Sequence, residues 1–186
     1  MGITITVSAA LSLFGLAVAF FYMKKVTSIP LDMGLDEKDG ARLRFIHGAI
    51  ASGAMAFLKQ EYKFLIIFMV LFAIVIALLI DDSHTPDISE GIYTAIAFLF
   101  GGAISIASGY IGMKVATQGN ARTTVSAKKD ISNAYDVAIN SGAVMGFALV
   151  SLAVLGLVVI YLVMSSLLSD LGEANNHILM EVIAGF

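Results

Sequence analysis

Few side chains in this sequence stand at spacings that support chemistry. Asp81, Asp82, Asp87 and Glu90 gather around Pro86 with no cation among them. Clustered carboxylates suit calcium, but the alternating ligands and central glycine of an EF-hand loop are missing. The stretch therefore reads as an acidic external loop. His47, His84 and His177 are far apart in sequence, at no metal-ligand spacing, and read as polar loop or helix-end residues. Cysteine is absent, which removes thiolate zinc sites, cysteine nucleophiles and disulfide frameworks. No GxxxxGK(S/T) phosphate loop occurs. Glu181 is the one acid in an apolar stretch, and its place near the start of that stretch makes it interfacial rather than a relay. Lys114 and Arg122, set among small and hydroxyl residues, could contribute to a positive funnel for an anion. The simpler reading is that both anchor topology and pair with neighbouring loop acids. No catalytic, cofactor-binding or metal-ligating residue is assigned.

The elements that would have to position such groups are apolar helices. Of the 186 residues 59% are hydrophobic and 13% charged, against about 25% charged in an ordinary soluble domain. The mean hydropathy of +0.91 points to a polytopic membrane protein. A net charge of −3, with no basic stripe, excludes a nucleic-acid partner. The expected fold is all-α, a transmembrane helix bundle of four complete spans plus the start of a fifth, forming a single region over 1–186. The spans are placed at about 2–23, 41–80 (membrane part 64–80), 91–113 and 137–168. An unfinished fifth starts at Ile178.

Local patterns support these bounds. Nothing basic precedes the first run and Lys24-Lys25 follow it, unlike a cleaved signal peptide. Pro30 and Gly34 break the chain before a helical pattern resumes near Ala41. Small residues at Gly48, Ser52 and Ala56, and at Ala49 and Gly53, would let that helix pack closely on another. Gly101, Ser105 and Gly109 lie four apart, as do Ser108 and Gly112. Residues 114–136 are expected to form a basic loop. The stretch from Ile178 to Phe186 is too short to cross a bilayer, so the chain is expected to be truncated.

The cations set an orientation. Lys24, Lys25, Lys38, Arg42, Arg44, Lys59 and Lys63 fall in the first connection. Lys114, Arg122, Lys128 and Lys129 fall in the third, which accounts for all 11. The positive-inside rule then places the N-terminus outside and these two connections in the cytoplasm.

Gly112-Met-Lys-Val-Ala-Thr, Gly119-Asn-Ala-Arg-Thr-Thr and Ala127 resemble the end of the third helix of membrane-bound, ion-pumping pyrophosphatases. Gly53-Ala-Met-Ala-Phe-Leu-Lys-Gln-Glu-Tyr-Lys63 resembles their second helix, and Ser141-Gly-Ala-Val-Met-Gly146 their fourth. The resemblance covers most of 41–168 and the stub after it. It implies an N-terminal piece of a pump that couples Mg2+-dependent hydrolysis of pyrophosphate to H+ or Na+ transport. It further implies K+ or Na+ as activating ions, a homodimer in a prokaryotic cell membrane, and contact with lipid and the remaining helices. The Asp-rich substrate and Mg2+ motifs would lie on later helices. Pyrophosphate bound as its Mg2+ complex needs several carboxylates in helical register beside cations. Asp81-Asp82 and Asp36-Glu37 do not supply that register. This chain would therefore be outer-ring scaffold, inactive and free of bound metal by itself. A small four-helix transporter and a non-catalytic membrane scaffold are the competing readings.

Overall fold

The computed structural model describes residues 2–32, 34–80, 90–168 and 175–186, with side chains of the last stretch described from Leu179. His84, Asp81, Asp82, Asp87, Asp170 and Glu173 lie outside the described residues, and of His177 only the helical backbone is described. Five helices follow in order: α1 (Gly2–Thr27), α2 (Glu37–Leu79), α3 (Glu90–Lys129), α4 (Ile131–Leu167) and α5 (Asn175–Gly185). No strand occurs among the described residues. The all-α expectation holds, and the first four helices are long and apolar enough to cross a membrane. The chain is an integral membrane protein.

Two departures from the sequence expectations are structural. The segment 114–136, expected as a loop, is helical except at Asp130. Buried positions explain the continuity: Ser108, Gly112, Val115, Gly119, Arg122 and Ser126 recur at intervals of three and four. One packed stripe thus runs straight through the point where the apolar run ends. Glu90, expected in a solvated acidic loop, is instead the first residue of α3 and is only 2% exposed.

Termini obey local chemistry. Pro30 lacks an N–H and disfavours helix at Ile29, so α1 stops just before it. Asp36 caps α2: its Oδ1 accepts the Asp39 backbone N–H at 2.8 Å, satisfying one of the orphan donors of a first turn. The pair Asp36-Glu37 therefore starts a helix.

The helices contribute to two compact units. The first comprises Met1–Ala10, Tyr62–Ile106 and Ala153–Phe186. Its core is Ala97, Ile160, Met164, Leu168, Leu179 and Val182, flanked by Phe100 and Phe186 with ring centroids 6.0 Å apart. Tyr62 Oη donates to the Ile106 carbonyl at 2.9 Å, tying α2 to α3. Gly101 and Gly156 let the Phe186 terminus of the chain come close.

The second unit comprises Leu11–Glu61 and Ala107–Leu152. Its core is Ala19, Val115, Val144 and Ala148, with Tyr22, Met23 and Ile111 packed against it. Along α1 the buried positions are Ser12, Gly15, Ala19 and Val26, one helical face. In a bilayer such small faces gain van der Waals contact rather than hydrophobic transfer energy. Gly15 faces the Ser151 side chain. Because that hydroxyl can rotate away, Gly15→Ala is expected to cost under ~1 kcal/mol in detergent unfolding of the chain.

The small residues of α2 meet no packing partner among the described residues. Gly48, Ala49, Ser52, Gly53 and Ala56 are exposed, and nothing lies within 4 Å of a Cβ placed on Gly48 or Gly53. Gly142 and Gly146 of α4 are equally open. Of the stripes read in α3, the Ser108–Gly112 one is buried, while Ser105 is exposed.

Candidate functional site

The best-built polar cluster centres on Arg122. A helix leaves its last four carbonyls without intrahelical donors, and α1 shows where its own go. Lys24 O accepts from Ser28 N at 3.0 Å, and Val26 O from Ile29 N at 3.2 Å. Lys25 O accepts the Ser28 hydroxyl at 2.8 Å. The carbonyls of Thr27 and Ile29 are taken by Arg122, through Nη2 at 3.2 Å and Nε at 3.1 Å. Nη1 donates to the Gln118 carbonyl at 3.1 Å and to Gln118 Oε1. The planar guanidinium fork suits this task, and its charge faces the negative end of the α1 dipole.

Arg122 is 9% exposed. Burial lowers its pKa from the ordinary arginine value, yet the guanidinium stays charged at neutral pH. The expected pairing with loop acids is corrected here: the bond acceptors are carbonyls and an amide. Lys114 likewise has a ring beneath it, its ammonium lying 5.7 Å from the Tyr110 centroid. The ion pairs among the described residues are Arg44–Asp32 at 3.2 Å and Lys128–Asp39 at 3.5 Å, all half or more exposed. Such pairs contribute little to stability.

His47 of α2 is half-buried, its ring nitrogen 3.5 Å from the Gln118 amide nitrogen. The cluster therefore reaches three helices. Its chemistry is that of a clasp: Arg122 ties the α1 end to α3 through the Thr27, Ile29 and Gln118 carbonyls and Gln118 Oε1. Glu181 is half-buried in α5. Among the described residues, no group of three or more His, Asp or Glu could hold a metal ion.

The clasp was absent from the sequence reading. Its available signal was the i, i+4 pairing of Gln118 with Arg122 on a helix, hidden by reading the stretch as loop.

Residues 13–186 match the family model described as inorganic H+ pyrophosphatase. The chain is 38% identical over 136 residues to a K(+)-stimulated pyrophosphate-energized sodium pump of Thermotoga maritima, covering 72% of this chain and 17% of that protein. It is 38% identical over 130 residues to a K(+)-insensitive pyrophosphate-energized proton pump of Pyrobaculum aerophilum, covering 69% and 18%. A similarly named pump of Methanosarcina mazei is 31% identical over 150 residues, covering 81% and 20%. The chain thus spans about a fifth or less of the length of these relatives.

Proposed function

We propose that this chain, which belongs to the inorganic H+ pyrophosphatase family, supplies outer-ring helices to an ion pump energised by pyrophosphate. The complete pump couples Mg2+-dependent hydrolysis of inorganic pyrophosphate to movement of H+ or Na+ across a membrane. The observation that carries this reading is the family match over 13–186, set beside the small share of each relative that the chain spans. Relatives bear both ion names and both K+ behaviours, so the reading keeps H+ and Na+ together.

The division of labour follows from the residues. With no ligand set for Mg2+ among the described side chains, Mg2+ and pyrophosphate are assigned to other helices of the pump. The open glycine faces of α2 and α4 offer surfaces for those helices, since small residues allow backbones to approach. All Lys and Arg except Lys63 fall within the sequence segments of the second unit. That supports a cytoplasmic placement for the first and third connections and an outside N-terminus. A homodimer in a prokaryotic cell membrane is the corresponding assembly.

A chimera tests the proposal. Residues 13–186 replace the matching stretch of the Thermotoga maritima pump. The chimera is expected to hydrolyse pyrophosphate with Mg2+ and to load vesicles with Na+, while the isolated chain does neither. Hydrolysis by the isolated chain, or a well-inserted chimera without hydrolysis, overturns the reading. Adding Gly142→Leu and Gly146→Leu is expected to leave unfolding of the isolated chain within ~1 kcal/mol of wild type. The same pair should impair assembly of the chimera, read as loss of its intact band in detergent.

A further inference from the structure

Arg122, Gln118 and His47 form a hydrogen-bonded row whose polarity is fixed from one end. A guanidinium carries donors and no acceptor. The oxygen of the Gln118 amide therefore has to face Arg122, whose Nη1 donates to Oε1. The NH2 of the same amide is left for His47, its nitrogen 3.5 Å from the ring Nε2. That ring nitrogen meets a donor only by accepting, which is the state of a neutral imidazole with its proton on Nδ1.

Protonation removes the fit. An imidazolium donates from both nitrogens, so Nε2–H would confront the Gln118 NH2. Turning the amide over gives its oxygen to His47 but its NH2 to Arg122. Sharing the one oxygen sets two cations against each other, which like charge disfavours. Neutral His47 is the form that satisfies both sides of the amide.

The charged groups on the surrounding elements are engaged with other partners. On α2, Arg44 lies one turn before His47 and pairs with Asp32. On α3, Lys114 lies one turn before Gln118, over the Tyr110 ring. The end of α1 meets the row through the Thr27 and Ile29 carbonyls, which Arg122 holds. His47 is half-buried and precedes the apolar run that starts at Phe64 by about 25 Å of helix, at ~1.5 Å per residue. It stands beyond that run, where protons arrive from water.

We propose that the His47–Gln118 contact is a proton-sensitive latch between α2 and α3, closed while His47 is neutral and opened when the ring takes a proton. The latch does not depend on the pyrophosphate reading.

Hydrogen exchange of the full 186-residue chain in detergent tests it, at pH 8 and pH 5. These values bracket the ordinary histidine titration near about 6.5. After correction for the intrinsic pH dependence of exchange, protection of amides 43–51 in α2 is expected to fall about fivefold on acidification, the effect of one net hydrogen bond. His47→Gln keeps a hydrogen-bonding amide without a titrating ring, and its protection is expected to stay constant. Gln118→Glu offers oxygens to both Arg122 and an imidazolium, so its protection is expected to rise on acidification. Constant protection in the wild type, a fall that persists in His47→Gln, or a fall in Gln118→Glu overturns the latch. Nitrogen NMR of the wild-type ring needs no variant: the proton is expected on Nδ1 at pH 8, and a proton on Nε2 overturns the proposal.

Discussion

Arg122→Ala is expected to loosen the end of α1 and to destabilise the chain by about 2–3 kcal/mol, the scale of lost charge-assisted hydrogen bonds. Truncation leaves Thr27 O and Ile29 O without the guanidinium that now bonds them, and it removes a cation from the negative end of the α1 dipole. Water can rehydrate the exposed Thr27 carbonyl, which keeps the loss near one strong interaction rather than the sum of all. Arg122→Lys is expected to recover only part, because one ammonium cannot reproduce the fork that reaches both carbonyls and Gln118. Amide hydrogen exchange of residues 22–29, alongside unfolding in detergent, separates this clasp from a generic packing defect. Faster exchange confined to those amides supports it. Unchanged exchange there with lowered global stability refutes it. An arginine that acted only as a topology marker would move neither readout.

The clasp also shows what was and was not legible beforehand. Apolar runs and cation placement survive any packing arrangement, so four long helices and the class of protein followed from composition and periodicity. Helix continuity through 114–129 did not follow, because Gly119, Arg122 and Ser126 have the composition of a loop. Their burial is sustained by neighbouring backbone: Arg122 by carbonyls of α1, and Gly119 by close approach of α4. Asp36 followed by Asp39 was a readable cap pattern, passed over because the pair Asp36-Glu37 was weighed as a metal site. Spacing alone could show that Gly48, Gly53, Gly142 and Gly146 permit close contact. It could not name the partner, and among the described residues those faces stay open.

Gly119 carries the second large effect. The α3–α4 hairpin turns over a single non-helical residue, Asp130, so the two helices are held in contact directly beyond it. A Cβ placed on Gly119 would stand 2.7 Å from Ser141 Cβ and closer still to its hydroxyl oxygen. Rotating the serine relieves the hydroxyl contact but not the Cβ contact, since Cβ is fixed by the backbone. Gly119→Ala must therefore push α3 and α4 apart, and overpacking of this kind costs about 1–3 kcal/mol. Helix propensity works the other way, since alanine is favoured over glycine by ~1 kcal/mol. Any net loss is then a lower bound on the steric term. Ser141 supplies both offending atoms, so Ser141→Gly should open the space. The double variant is expected to be more stable than Gly119→Ala by itself, with a coupling of about 1–3 kcal/mol in a double-mutant cycle. Additive losses in that cycle would mean that the helices do not meet at this point. Independence is a sharp alternative, because residues apart by more than about 7–10 Å add within ~0.5 kcal/mol. The same approach explains why a glycine sits between Gln118 and Asn120: the clasp at Arg122 lies one turn farther along α3, on the same packed stripe. A wedge at Gly119 should accordingly also raise exchange at the α1 carboxy-terminal amides, coupling the hairpin seam to the helix end that it secures.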